Sequence, residues 1–241
     1  MPWNGGNMKK HILVTGASRG LGLFLTQKYL EDGNIVYAGV RDIASPNIEA
    51  LKKTYPESLI AVVLDVADTN SANEAAKTIG DHTDKLDVVI NNAAIHSPTS
   101  FEVIERANID ECVTTFDINS AGPLRVVKAC LHLIRNSDQG KIINISSESG
   151  SIGACGRIKE FDYNMSKAAL NMATKLLSNY LKDDNIIALA VHPGWMRTDM
   201  GGAHAHLDPY ETACKLVDLF ESINSIDNPV FIDNDGNEYP W

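Results

Sequence analysis

The chain has 241 residues, 44% of them hydrophobic, and a formal net charge of −10. That is enough apolar material for one sizeable core, while the acidic balance, with no basic stripe, argues against nucleic acid as a partner. No apolar stretch approaches the ~18 residues of a membrane span.

The opening MPWNGGNMKKHILVTG has too short an apolar run for a signal peptide. Residues 1–7 read as a flexible leader, Met8 as a candidate natural start, and 8–241 as a single domain. HILVT (11–15) is the first strand-like run and is followed by a helical pattern at 20–32. IVYAGV (35–40) precedes a helix at 46–55, LIAVVLD (59–65) one at 70–82, and LDVVIN (86–91) one at 110–136. KIINIS (141–146) leads to a helix at 162–182, IIALAVH (186–192) to one at 208–224, and PVFI (229–232) closes the series. Seven short β-rich runs alternating with helices imply βαβ units. The expected fold is a Rossmann-type, doubly wound α/β sheet of about seven mostly parallel strands with helices on both faces. Such sheets bind ligands beyond the carboxyl ends of their strands.

After the first strand, Gly16, Gly20 and Gly22 form G-x-x-x-G-x-G. Glycines there let the backbone approach a phosphate at the positive end of a helix. The same stretch fits G-x-S-x-G with Ser18, which would suit a serine hydrolase. Asp199 and His192 lie downstream, but the usual order of nucleophile, acid and histidine leaves only His204 or His206 after Asp199. The elbow would also belong later in the sheet. Cys112, Cys130, Cys155 and Cys214 are scattered and read as reduced thiols of a cytoplasmic protein. Neither they nor the histidines form a metal-binding pattern. In DYNMSK (162–167), Tyr163 and Lys167 fall one helical turn apart on one face. A free phenol has a pKa near ~10, and a neighbouring ammonium would lower it toward the range of a useful proton donor. A plain surface Tyr–Lys pair is the alternative.

The sequence resembles the short-chain dehydrogenase/reductase family over nearly its whole length. The resemblance rests on TGASRGLG (15–22), LDV (64–66), NNAA (91–94), Asn119, NISSESGSIG (144–153), Tyr163, Lys167 and HPGWMRTDM (192–200). GSIG, HPGW and the terminal DGNEYPW are most similar to the carbonyl-reductase branch that includes the C-factor and sniffer proteins. The resemblance implies an oxidoreductase that transfers a hydride between a nicotinamide and a carbonyl or alcohol. Tyr163 would be the general acid/base and Ser147, with Ser146 as runner-up, would hold the substrate oxygen. Lys167 would hold the ribose and lower the Tyr163 pKa, and Asn119 would anchor a water. The inserted CGRIKEF (155–161) would reshape one wall of the pocket.

For the cofactor, the resemblance implies contacts from Gly16, Ser18, Arg19, Gly20, Leu21, Gly22, Asp65, Val66, Asn91, Ala93, Pro193, Gly194 and Thr198, besides Tyr163 and Lys167. Asp65 would meet the adenine amino group, Asn91 and Ala93 the adenosine ribose, and Thr198 the nicotinamide amide. An NAD site usually carries an acid at the end of the second strand. The matching position is Gly39, with Arg41 just beyond, so NADP(H) is expected over NAD(H). The alternative is that Arg41 pairs with Asp42. The short segment 201–211 implies an open cleft for varied carbonyl compounds, and His192 reads as structural. A regulatory or signalling dinucleotide-binding protein is the second class. On the helix at 162–182, Ala168, Ala169, Met172, Ala173, Leu176 and Leu177 form a wide apolar set. That width predicts a homodimer or homotetramer, unless the helix at 110–136 covers it.

Overall fold

Seven strands line up in the order β3-β2-β1-β4-β5-β6-β7 in the computed structural model, which describes residues 9–241. They are β1 (His11–Thr15), β2 (Ile35–Val40), β3 (Leu59–Val63), β4 (Val88–Asn91), β5 (Lys141–Ile145), β6 (Ile187–Val191) and β7 (Phe231–Ile232). Every pairing is parallel, with Ile12 opposite Val36 on one side and Val88 on the other. The expected leader at 1–7 lies outside the described residues.

The near-continuous Val, Ile and Leu of the strands reflects a sheet covered on both faces. Ile12, Val14, Val36, Val88, Ile143 and Leu189 point to one side, where α1 (Gly20–Glu31), α2 (Pro46–Thr54) and α7 (Pro209–Ser222) pack. Leu13, Tyr37, Val89, Ile142 and Ala188 point to the other, toward α3 (Thr69–Gly80) and α5 (Gly122–Arg135). Two helices start on side-chain caps. Asp68 accepts from Asn70 N before α3, and Asp208 accepts from Tyr210 N and Glu211 N before α7, where Pro209 follows.

The helix expected over 110–136 is broken. It is α4 (Glu111–Phe116), a π-helical turn at Asp117–Ala121, and α5. Pro123 has no N–H for the Asn119 carbonyl four residues back, so the register slips there. The third run ends as a strand at Val63 rather than 65, and the last strand is only Phe231–Ile232. The helix after β5, α6, spans Phe161–Tyr180. All four cysteines are free. Among the described residues no helix is long and apolar enough to cross a membrane, and no cluster of three His, Cys, Asp or Glu could hold a metal.

Candidate active site

The carboxyl ends of β1, β4, β5 and β6 meet at one rim. At the end of β1, Gly16 and Gly20 take φ of +66° and +55°, a left-handed conformation that side chains rarely adopt. A Cβ on Gly22 would lie 2.4 Å from both Asn92 Nδ2 and the Gly16 carbonyl oxygen. Asn92, which sequence reasoning missed, clamps this turn. Its Nδ2 donates to the Thr15 carbonyl at 3.0 Å, and its backbone N–H donates to Thr15 Oγ1 at 3.0 Å. Arg19 stands at the cap of α1 without a side-chain capping bond. The first N–H groups of the helix and its positive end therefore face the rim. A turn with no room for side chains and a helix start without a side-chain cap fit a pyrophosphate.

Thr198, which follows β6, lies across this turn, 3.7 Å from where a Gly20 Cβ would be. Arg19 Nη1 is 3.5 Å from Asp199 Oδ2, both side chains largely exposed. Pro193 is buried, and the segment beyond Gly194 folds back tightly, with Trp195 Nε1 donating to the Gly201 carbonyl at 2.8 Å. Leu21 is buried in the core and Ser18 is half-buried beside Arg19. Gly39, next to the end of β2, has no side chain, so no acid at this position faces a ribose, and a Cβ there would press on Leu64 Cδ2 at 2.8 Å. Val40 is buried, and Arg41 is the first exposed side chain beyond β2. Among the described residues Arg41 forms no ion pair, and Asp42 instead accepts from Ala44 N. Asp65 is half-buried past β3, accepting from Ala67 N, and Val66 packs on Gly122.

Asn91 is held inside the sheet. Its side chain is 2% exposed and donates to Asn144 Oδ1 at 2.8 Å, while its own Oδ1 is buried without a partner. Asn144 continues to Thr174 on α6. The amide thus ties β4 through β5 to α6. Ala93 N donates to Thr15 Oγ1.

Ser146 and Ser147 separate cleanly. Ser146 is buried and donates to Asn171 Oδ1 at 2.6 Å, which commits it to the interior. Ser147 is half-buried; its hydroxyl accepts from Ser149 N at 3.1 Å and lies close enough to the Tyr163 phenol to pull its pKa down. Tyr163 and Lys167 lie on the first turns of α6, with Lys167 Nζ 5.4 Å from the centre of the phenol ring. Lys167 is 2% exposed and donates to the Ile145 carbonyl at 2.7 Å. Burial pushes the Tyr163 phenol up to about 12, with Ser147 and Arg157 pulling down and Glu160 adding to the rise. Burial alone brings Lys167 down to about 7. In the ligand-free site desolvation sets the Tyr163 shift, and the Lys167 ammonium is itself half neutralised near pH 7.

Asn119 binds two elements together. Its Oδ1 accepts from Ile95 N, and its Nδ2 donates to the Ile95 carbonyl and Ser166 Oγ, which uses both of its side-chain donors.

Three further features were not read from the sequence. His96 stacks on Tyr163 with ring centres 4.0 Å apart. Asp162 is buried and accepts from Ser97 N, Ser100 Oγ and Thr115 Oγ1. Burial works to raise its carboxyl, but these hydrogen bonds hold it below the ordinary range. Arg157, within the inserted segment, bridges Glu148 and Glu160. It helps line a cavity of about 260 Å³ with Glu148, Ser149, Cys155 and Tyr239. The carbonyl of the last residue, Trp241, accepts from Gly153 N at 2.6 Å beside it. The alternative centred on Ser18 is not assembled. His192 Nδ1 accepts from Glu148 N, Asp199 faces Arg19, and among the described residues no histidine hydrogen-bonds Ser18.

The short chain dehydrogenase family pattern matches residues 10–207. The chain is 33% identical to the short chain dehydrogenase gsfK of Penicillium aethiopicum over 97% of its own length and 100% of that protein. It is similar to the NADPH-bound carbonyl reductase from chicken fatty liver, with a TM-score of 0.89, 29% identity and coverage of 97% and 99%. The carbonyl reductase Sniffer of D. melanogaster superposes with a TM-score of 0.90 at 30% identity, covering 98% and 100% of the two chains.

Proposed function

The chain belongs to the short-chain dehydrogenase family, and from that premise we propose that it is an NADPH-preferring carbonyl reductase in which Tyr163 donates the proton. The observation that carries this reading is the meeting of the Ser147 hydroxyl, the Tyr163 phenol and the buried Lys167 at the strand ends that carry the glycine turn. A nicotinamide dinucleotide, when bound, supplies the hydride.

The residues of the chain supply the rest. Ser147 and Tyr163 offer two hydroxyls to a carbonyl oxygen, and both bonds strengthen as negative charge grows there. The phenol, held at about 12 without a ligand, rests protonated at neutral pH, and positive charge brought beside it by a bound oxidised nicotinamide would lower it toward a useful donor. Lys167, held at about 7, gives up and regains a proton readily near neutrality and lies against the same ring. Asn119 fixes the loop after β4 to α6 and keeps this face of the site in register. Arg41, exposed at the end of β2 with no carboxylate at position 39, supports a 2′-phosphate, as does Arg19 across the glycine turn. The short segment after β6 would leave the cleft open, which supports varied carbonyl substrates. Met172 and Leu176 on α6 are 61% and 60% exposed, which supports a homo-oligomer through that helix. The four unpaired thiols accord with work in the cytoplasm.

The test is the loss of NADPH absorbance with a panel of aldehydes and quinones. Turnover of several members with NADPH, and weak turnover with NADH, is expected. No turnover of any carbonyl, or wild-type rates from Tyr163→Phe, would overturn the reading.

A further inference from the structure

His96 lies flat against the Tyr163 ring, the two planes 24° apart. Its Nδ1 is 3.2 Å from Ser100 Oγ, and Ser100 donates to Asp162 Oδ1 at 2.6 Å. The direction of each bond follows from counting protons. The Asp162 carboxylate can only accept. Ser100 has one proton and gives it to that carboxylate, so toward His96 it must accept. Nδ1 therefore carries the hydrogen, and in a neutral imidazole Nε2 is then a bare acceptor. Burial lowers the proton affinity of the ring, opposed by Glu160 and Asp162 and reinforced by Lys167 and Arg157, so the neutral form prevails near pH 7. The ring is half-buried, and among the described residues nothing hydrogen-bonds Nε2. Stacking places this acceptor and the Tyr163 hydroxyl on adjacent rings, within reach of one small molecule.

We propose that His96 Nε2 is a specificity-determining acceptor: it takes a hydrogen bond from a hydroxyl or N–H on the substrate and selects carbonyl compounds that carry such a donor within a few bonds of the reacting carbon. Ser100 and Asp162 are positioning residues that fix the tautomer. The proposal rests on the reading of Tyr163 as proton donor to a carbonyl.

The experiment compares α-hydroxyacetophenone, its methyl ether and acetophenone as substrates with NADPH, alongside nitrogen NMR of the histidine rings. The His96 signals are assigned by difference with His96→Phe. Wild type should favour the hydroxyketone over its ether by about tenfold in kcat/KM. His96→Phe keeps a stacked ring without the nitrogen, and the ratio should fall to near one. Ser100→Ala releases Nδ1, so the hydrogen should move to Nε2; a hydroxyl oxygen accepts from that N–H as an ether oxygen does, so the ratio should fall to near one together with the change of tautomer, which general loosening of the site would not give. NMR should show hydrogen on Nδ1 in wild type and on Nε2 in Ser100→Ala. Equal rates for hydroxyketone and ether in wild type, a ratio that survives in His96→Phe, or a wild-type ring with hydrogen on Nε2 would each overturn the proposal. If no carbonyl compound is reduced, the reductase reading falls. The ring tautomer, and movement of the His96 Nε2 signal when α-hydroxyacetophenone is added to the NADP⁺-loaded protein, still decide the role of His96.

Discussion

Replacing Lys167 by Met should make the cofactor-free chain more stable while removing its activity. The side chain is 2% exposed, and its charge has one hydrogen-bond partner, the Ile145 carbonyl. Burial brings its pKa from 10.5 to about 7. At ~1.4 kcal/mol per unit, that fall corresponds to roughly 5 kcal/mol favouring the neutral form. A cation with a depressed native pKa binds fewer protons folded than unfolded. The stability of the wild type therefore rises with pH between about 7 and 10.5, and the full deficit is present below about 7. Methionine removes the deficit with a side chain of similar length. Local relaxation around the charge roughly halves the gain, and the lost hydrogen bond takes back about 1 kcal/mol. A net gain of about 1–2 kcal/mol remains near neutrality, or roughly 2–8 °C in Tm for a chain of this size. Thermal and urea unfolding of wild type and Lys167→Met at pH 6, 8 and 10 reads the effect. The difference should be largest at pH 6 and vanish or turn slightly against the variant by pH 10, where only the lost hydrogen bond remains. A variant that melts below wild type at pH 6, or a difference that does not narrow as pH rises, would refute the reasoning.

Tyr163→Phe keeps the stacked ring and removes the donor, so kcat should fall by about 10²–10⁴ while titration calorimetry shows cofactor affinity retained. Arg41→Ala should weaken NADPH binding by roughly 10- to 100-fold and spare NADH, since only the former loses a charge-assisted bond; equal losses in fluorescence titrations would make Arg41 a structural residue. Gly22→Ala pushes a methyl onto Asn92 and the Gly16 carbonyl, and should lower stability by about 1–3 kcal/mol in urea unfolding. Light scattering at micromolar concentration should give a multiple of 26.2 kDa; a single-chain mass that does not change on tenfold concentration would remove α6 as an interface.

The order of strands and helices was legible because each strand is buried on both faces and so reads as an unbroken apolar run. The break in the helix over 110–136 was not, since apolar periodicity continues through Asp117–Ala121 and only Pro123 disturbs it. Gly16, Gly20, Gly22, Tyr163 and Lys167 form local motifs whose spacing is itself the geometry. Ser146 and Ser147 could not be separated locally, because what separates them is Asn171 on another element. The Asn91 amide likewise faces Asn144, a partner 53 residues away. His96, Ser100 and Asp162 were missed for the same reason: the 62 residues between Ser100 and Asp162 are closed only by the sheet topology. The burial that dominates the Tyr163 shift in the ligand-free site was not legible, because spacing reveals a neighbouring charge but not its loss of water.

One cause, burial, moves both members of the Tyr–Lys pair, and it moves them in opposite directions. The phenol rises and stays protonated, so at neutral pH its shift costs nothing; its contribution to stability is lost only as pH climbs from about 10 toward 12. The ammonium falls, and its shift costs stability at neutral pH and below. The energetic strain of the site is therefore carried by Lys167 rather than Tyr163. A chain built for stability alone would not place a lysine there, because an apolar residue of the same length fits without the penalty. What the lysine adds is a proton that can be exchanged near pH 7, held against a phenol that is protonated at the same pH. The shifts hold the resting pair as a neutral phenol beside a lysine that exchanges protons near pH 7, and any charge that arrives next to the ring has to overcome the burial of both.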